Sequence, residues 1–344
     1  MEINLVSDTI TKPTHEMLQY MFNAVVGDDV YKQDPTVIEL ESKVAALFGM
    51  EAGLFFPSGT MANQTAIKLH TQPGEQLIAD KYAHVYNYEG GGVSFNSGVS
   101  CCLLDGNRGM ITASQVKAAI NDPEFYHSPL TSLVCVENTT NKGGGACYEL
   151  EDLRQIKQVC VDHNLKFHLD GARIWNALVA KNQDPKEFGK LFDTISVCLS
   201  KGLGAPVGSL VLGSKEMIAR TRVWRKRYGG GMRQIGILAA AGHFALDHNI
   251  NRLTEDHARA KKIAVALATI DSSLIDPATV ETNIVGLDLA NFTFSAADFA
   301  AACKEKGLWI SALGPKYARL VTHLDFDDAQ TDEAIEILKS CLKA

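Results

Sequence analysis

Residues 193–214 read DTISVCLSKGLGAPVGSLVLGS. An almost charge-free apolar run ends on a single lysine, Lys201, followed by glycines and a second apolar run. Burying an unpaired ammonium costs several kcal/mol unless the group gives up its proton. Lys201 therefore either escapes to solvent in a turn or sits there to be used.

Working outward, short apolar runs alternate with longer amphipathic ones. AGLFFP (52–57), EQLIAD (75–80), SGVSCCLL (97–104), TSLVCVEN (131–138), KFHLDGAR (166–173), DTISVCLS (193–200) and GSLVLGS (208–214) read as strands. Helices are expected near 60–70, 113–121 and 149–163, the last with Leu150, Leu153, Ile156, Val159 and Cys160 at helical spacing. Strands alternating with helices imply an α/β fold, with a mostly parallel sheet covered on both faces. Beyond residue 214, long helices are expected over 214–227 and 233–270. The short runs VGLDLA, GLWISAL and ARLVTHLD then suggest a smaller α+β C-terminal domain. The expected division is 1–248 for an N-terminal arm and large domain, and 249–344 for the small domain.

The chain of 344 residues carries 33 basic and 40 acidic residues, a net charge of −7. No basic surplus is present for a nucleic-acid or anionic-membrane partner. MEINLVSDTITKP lacks the basic and apolar regions of a signal peptide, and no run reaches the roughly 18 apolar residues of a membrane span. The eight cysteines form no CxxC, and several sit in apolar runs such as SLVCVEN and ISVCLS, so they read as reduced packing residues of a cytoplasmic protein. No HExxH or other metal-ligand spacing occurs, so no metal site is assigned.

In open parallel sheets, ligands sit beyond the carboxyl ends of the strands, which directs attention to four polar strand ends. Ser58-Gly59-Thr60 joins a strand to a helix, where free N–H groups either form an ordinary cap or hold a phosphate. No Walker motif and no GxGxxG follows the first strand. Asp170 ends FHLDGAR and either pairs with Arg173 or faces a protonated ring nitrogen, as an aspartate does to keep pyridoxal 5'-phosphate (PLP) electron-withdrawing. Lys201 then becomes a nucleophile for an aldehyde, flanked by Ser200. Glu137-Asn138 closes the fourth strand. His84 could lie over a pyridine ring, and His127, in a polar loop, could serve as acid or base. His168, in HLD, is read as turned away from Asp170. Arg233, in WRKRYGGGMRQ, could reach a phosphate across a subunit boundary. Arg319, at a strand entrance, could clamp a carboxylate.

Seven ordered motifs then resemble the low-specificity L-threonine aldolases, PLP enzymes of fold type I: SDTITKPT (7–14), VGDDVYKQDPTV (26–37), PSGTMAN (57–63), HLDGARIWNA (168–177), CLSKGLGAPVGS (198–209), WRKRYGGGMRQ (224–234) and RLVTHLD (319–325). The resemblance implies a large domain built on a seven-stranded sheet and a homo-oligomer, a dimer at least, with a tetramer expected. It implies aldol cleavage of L-threonine or L-allo-threonine to glycine and acetaldehyde, with broad tolerance of β-hydroxy amino acids. Lys201 would carry PLP, Asp170 would face its ring nitrogen and Arg173 its phenolate side. Gly59, Thr60, Ser200 and Arg233 would hold the cofactor, with His84 stacked on the ring. Ser7, Arg173 and Arg319 would take the substrate carboxylate, and His84 or His127 would move protons. The competing readings are another fold type I reaction, β-elimination or transamination, and a non-catalytic PLP-binding relative.

Overall fold

The computed structural model describes residues 2–343. Among the described residues, the largest sheet has seven strands: β1 (Ala52–Phe56), β2 (Gln76–Asp80), β3 (Ser100–Leu104), β4 (Thr131–Glu137), β5 (Lys166–Gly171), β6 (Thr194–Cys198) and β7 (Ser209–Gly213). Their spatial order is β1-β7-β6-β5-β4-β2-β3. All neighbours pair in parallel except β7, which runs antiparallel to both β1 and β6. Every residue of β2, β6 and β7 is buried, which is why these strands read as continuous apolar runs rather than alternating ones.

Helices cover both faces. On one side α1 (Pro35–Leu47) packs with α5 (Gly236–His248), and α3 (Leu150–Asp162) joins the same core; on the other, α2 (Gly59–His70) packs with α4 (Lys215–Arg227). Asp34 starts α1. One carboxylate oxygen accepts the Val37 N–H at 3.2 Å and the other accepts the Gly236 N–H at 2.8 Å, so a single buried side chain caps α1 and fastens α5 to it.

The single long helix expected over 233–270 is two, α5 and α6 (Leu253–Ala268). The break falls at Asn249, whose side-chain amide donates to the Leu203 carbonyl at 2.8 Å. That bond ties the break to the loop carrying Lys201. It also lets α6 leave the large core and enter a second one.

The second core is formed by α6, α7 (Ala296–Glu305), α8 (Asp328–Leu342) and an antiparallel sheet of β8 (Ile284–Asp288), β9 (Ser311–Ala312) and β10 (Tyr317–Val321), ordered β9-β10-β8. Ile3 and Leu5 are buried in this core. Ile3–Asn4 pairs in parallel with Leu308–Trp309, and the Val321 N–H donates to the Leu5 carbonyl. The N-terminal segment thus lies between the two cores.

Asp34→Ala removes the α1 cap and leaves the buried Gly236 N–H without an acceptor. We expect a loss of about 2–4 kcal/mol, read as a lowered urea midpoint with an unchanged slope.

Candidate active site

The polar carboxyl ends of β5 and β6 and the start of α2 meet at a cavity of about 170 Å³, lined by Gly59, Thr60, Asn63, His84, Glu89, Asp170, Ala172, Cys198, Ser200 and Lys201. Ser58 is the N-cap of α2, its hydroxyl accepting the Met61 N–H at 3.2 Å. A Cβ on Gly59 would stand 2.8 Å from Cys198 Sγ, so only glycine lets α2 open this close to β6. Past β6 the chain turns sharply, with the Gly204 N–H donating to the Lys201 carbonyl at 2.8 Å and Gly204 at φ +77°. This turn brings the Lys201 side chain to the cavity wall.

Asp170 is 1% exposed and sits in register between Glu137 and Ser196. One oxygen accepts the Ala172 N–H at 3.1 Å, while Oδ2 has no hydrogen-bond partner. A buried carboxylate oxygen left open is costly unless a ligand proton meets it.

His84 Nδ1 lies 3.0 Å from Glu89 Oε1, and its backbone N–H donates to Glu137 Oε2 at 2.9 Å. Burial works against a charged His84, but the bond to Glu89 and the charges of Asp170 and Glu89 outweigh it and raise its pKa. Glu89 also accepts from Asn63 Nδ2 at 2.9 Å and Gln64 Nε2 at 2.6 Å. Burial, with the Asp170 charge beside it, pushes Glu137 up to about 7. Side-chain atoms of His84, Glu89 and Asp170 lie within 4.8 Å of one another, a spacing compatible with a metal ion. With three donors already on Glu89 and the Lys201 side chain at the same cavity, the grouping suits proton handling better than a cation.

A second cluster adjoins from the N-terminal segment. Asp8 and Arg173 form a fully buried two-point pair, Nε to Oδ2 at 2.8 Å and Nη2 to Oδ1 at 2.7 Å. Burial alone would raise Asp8, but Arg173 holds it well below the usual carboxylate range. Ser7, next to it, accepts from Thr9 N–H at 3.2 Å. Arg319 donates to Asn141 Oδ1 at 2.5 Å and to the Val6 carbonyl at 3.1 Å, while its buried Nε lacks a partner.

Of the residues singled out in the sequence, Gly59, Thr60, His84, Asp170, Ser200 and Lys201 line the cavity, Ser7, Arg173 and Arg319 lie in the adjoining cluster, and this chain brings His127 and Arg233 to neither. His127 is exposed on its loop, against the rings of Phe125 and Tyr126. Arg233 is exposed and pairs with Asp28 at 3.0 Å. His168 corrects its reading: residues two apart on a strand share a face, and His168 Nε2 meets Asn63 Oδ1 at 3.3 Å on the Asp170 side. Glu89 and Asn63 carried no sequence signal of their own. Glu89 stands before a glycine run and Asn63 inside a helix.

The beta-eliminating lyase family model matches residues 4–290. The chain belongs to that family. It is 40% identical over 332 residues to the low specificity L-threonine aldolase of Escherichia coli strain K12, covering 96% of either chain. It is 38% identical over 327 residues to low-specificity L-threonine aldolase 1 of Arabidopsis thaliana, covering 93% of this chain and 91% of that one. Among solved structures, Leishmania major threonine aldolase is similar in fold, with a TM-score of 0.80 at 20% identity over 99% of both chains. Sphingomonas wittichii serine palmitoyltransferase gives a TM-score of 0.77 at 14% identity, covering 99% of this chain and 87% of that one.

The fold of this beta-eliminating lyase relative is therefore PLP fold type I, and the cavity fits that cofactor. Asp170 Oδ2 is an open acceptor for a ring N–H, Lys201 supplies an amine, and α2 opens beside them where Gly59 leaves room.

Burial depresses His168 to about 4, so it stays neutral in the folded protein. An unfolded histidine takes up a proton below about pH 6.5. The stability difference between wild type and His168→Gln should therefore shift against wild type as pH falls from about 6.5 to about 4, then level off. Urea unfolding of both proteins across that range checks the sign, since trends from other groups cancel in the difference.

Proposed function

We propose that this lyase cleaves L-threonine and L-allo-threonine to glycine and acetaldehyde, with PLP held in the cavity at Lys201 and Asp170. The observation carrying the reading is the unpartnered, buried Asp170 Oδ2 in one cavity with Lys201 and the opening of α2. Similarity to the Escherichia coli and Arabidopsis aldolases supports the choice of reaction.

When bound, PLP supplies an electron sink for the pair released on Cα–Cβ cleavage. Asp170 holds a proton at the ring nitrogen and so keeps that sink electron-withdrawing. Lys201 would hold the cofactor's aldehyde carbon through its side-chain amine. Gly59 and Thr60, at the start of α2, offer N–H groups to the phosphate with the favourable end of the helix dipole. Arg319, with its free Nε, takes the substrate carboxylate together with Ser7. Arg173 serves there mainly by holding Asp8. His84 removes the β-hydroxyl proton as the carbon–carbon bond breaks, and Cα takes up a proton as glycine forms.

A homo-oligomer belongs to the same reading, with a dimer as the minimum and a tetramer as the expected form. Phe22, Val25 and Tyr31 are 86%, 68% and 70% exposed, an apolar surface suited to a second copy. Arg233 and His127, remote from their own cavity, would serve a neighbouring one. A cytoplasmic location is part of the proposal too; among the described residues, no helix is long and apolar enough to cross a membrane.

The deciding experiment incubates the purified protein with each threonine isomer and measures products. Glycine with acetaldehyde supports the proposal, whereas ammonia with a keto acid identifies β-elimination and no turnover a non-catalytic relative. Lys201→Ala should abolish turnover and change the visible spectrum of the bound cofactor; an unchanged spectrum removes Lys201 from the role. Arg319→Ala should raise KM for threonine at least tenfold, the loss of about 1.4 kcal/mol or more of carboxylate binding, as read from initial rates over a substrate series.

A further inference from the structure

We propose that Glu89 is a positioning residue for this site: its carboxylate fixes His84 with the ring proton on Nδ1, leaving Nε2 as the atom offered to the substrate. The inference rests on the aldol reading above and assigns which nitrogen moves the proton and what holds it there.

Glu89 is buried at 6% exposure and accepts from three side chains, His84, Asn63 and Gln64. Two of those donors are amides, whose N–H groups can only donate, so both Glu89 oxygens serve as acceptors. A carboxylate acceptor at 3.0 Å requires N–H at His84 Nδ1. Nε2 then keeps its lone pair.

The Asn63 amide is oriented from behind by a buried polar chain. Its Oδ1 accepts from Ser196 Oγ at 2.6 Å and faces His168 Nε2 at 3.3 Å. Thr194 Oγ1 lies 2.8 Å from His168 Nδ1 and 2.9 Å from His70 Nε2. His168 Nδ1 also stands 3.2 Å from the Thr194 carbonyl oxygen, but the Asn63 oxygen facing Nε2 calls for the ring proton there, which gives His168 Nε2–H to Asn63, Thr194 O–H to His168 Nδ1, and His70 Nε2–H to Thr194. Reversing the Asn63 amide would point its oxygen at Glu89, oxygen against oxygen. Six polar residues, from His70 through Thr194, His168, Asn63 and Glu89 to His84, thus set one orientation from the edge of the domain to the cavity.

The proton inventory closes. His84 Nε2 accepts the substrate hydroxyl proton, the ring becomes an imidazolium, Cα takes up one proton in place of the broken carbon–carbon bond, and the imidazolium gives one up, restoring the neutral ring. The charged groups facing His84 are Glu89 and Asp170, which favour that imidazolium, Glu137 at its backbone N–H, and Lys201, which opposes it; the Tyr88 ring lies 5.6 Å away.

The test is a pH titration of isotope-labelled histidines by NMR, on the purified protein with PLP added, with His84 assigned by its loss in His84→Asn. In wild type the neutral His84 ring should carry its proton on Nδ1. Glu89→Gln, a neutral isostere, should lower the His84 pKa by about one unit. It should move the acid limb of the kcat profile to lower pH and cut kcat about tenfold or more, with KM within about twofold. A Glu89→Gln protein whose His84 titrates as in wild type overturns the proposal, as does a wild-type ring protonated on Nε2. That wild-type tautomer decides the matter alone should the variant fail to fold. A wild type with the expected tautomer that does not cleave threonine would keep the assignment of Glu89 and remove the reaction.

Discussion

The buried pair between Asp8 and Arg173 is the constraint on which the remaining architecture depends. Arg173 follows the strand that carries Asp170, whereas Asp8 belongs to a segment whose Ile3 and Leu5 lie in the second core. Asn283 donates to the same carboxylate at 3.2 Å, just before β8. One ion pair therefore joins the large sheet, the N-terminal segment and the small core at a single point. Removing either partner from such a pair leaves an uncompensated buried charge, at a cost of about 3–5 kcal/mol. The adjacent Val6 carbonyl and Asn141 aim Arg319 from two different parts of the chain.

Three carboxylates crowd the cavity, and each is dealt with differently. Glu89 is saturated by side-chain donors. Glu137 is held by two backbone N–H groups, from His84 and Asn141, and retains a proton more readily than a free glutamate. Asp170 keeps one oxygen open. Like charges this close would repel strongly if all were equally exposed to one another. The differing donors separate their roles, so the cationic partner that the site needs can settle on Asp170.

The strands and their order of use were legible because parallel strands buried on both faces read as uninterrupted apolar runs. The polar residue ending each run marks the site. Lys201 and Asp170 stand out for that reason: each is a charge where burial was expected. Glu89 and Asn63 do not stand out, since neither breaks a pattern; their relation arises only when α2 crosses the sheet and faces the His84 loop. The antiparallel direction of β7 is likewise not written in its apolar composition. It follows from the short loop after Lys201, too brief for the helical crossover that parallel pairing requires. The helix break at Asn249 is not legible in the sequence because helical periodicity continues through it, while the cause is a bond to a loop 46 residues earlier.

The pairing of Ile3–Asn4 with Leu308–Trp309 has a consequence for how the chain comes into being. During synthesis the first segment emerges long before its partners exist, and the large sheet can assemble while Ile3 and Leu5 still lack their core. Closing so long a loop is slow and must wait until residues 308–309 have been made. The Asp8–Arg173 contact, between residues 8 and 173, can form earlier and hold the segment close to its destination. The pairing that closes this loop also completes the surroundings of Arg319, so a chain made only as far as the large sheet lacks part of the candidate site.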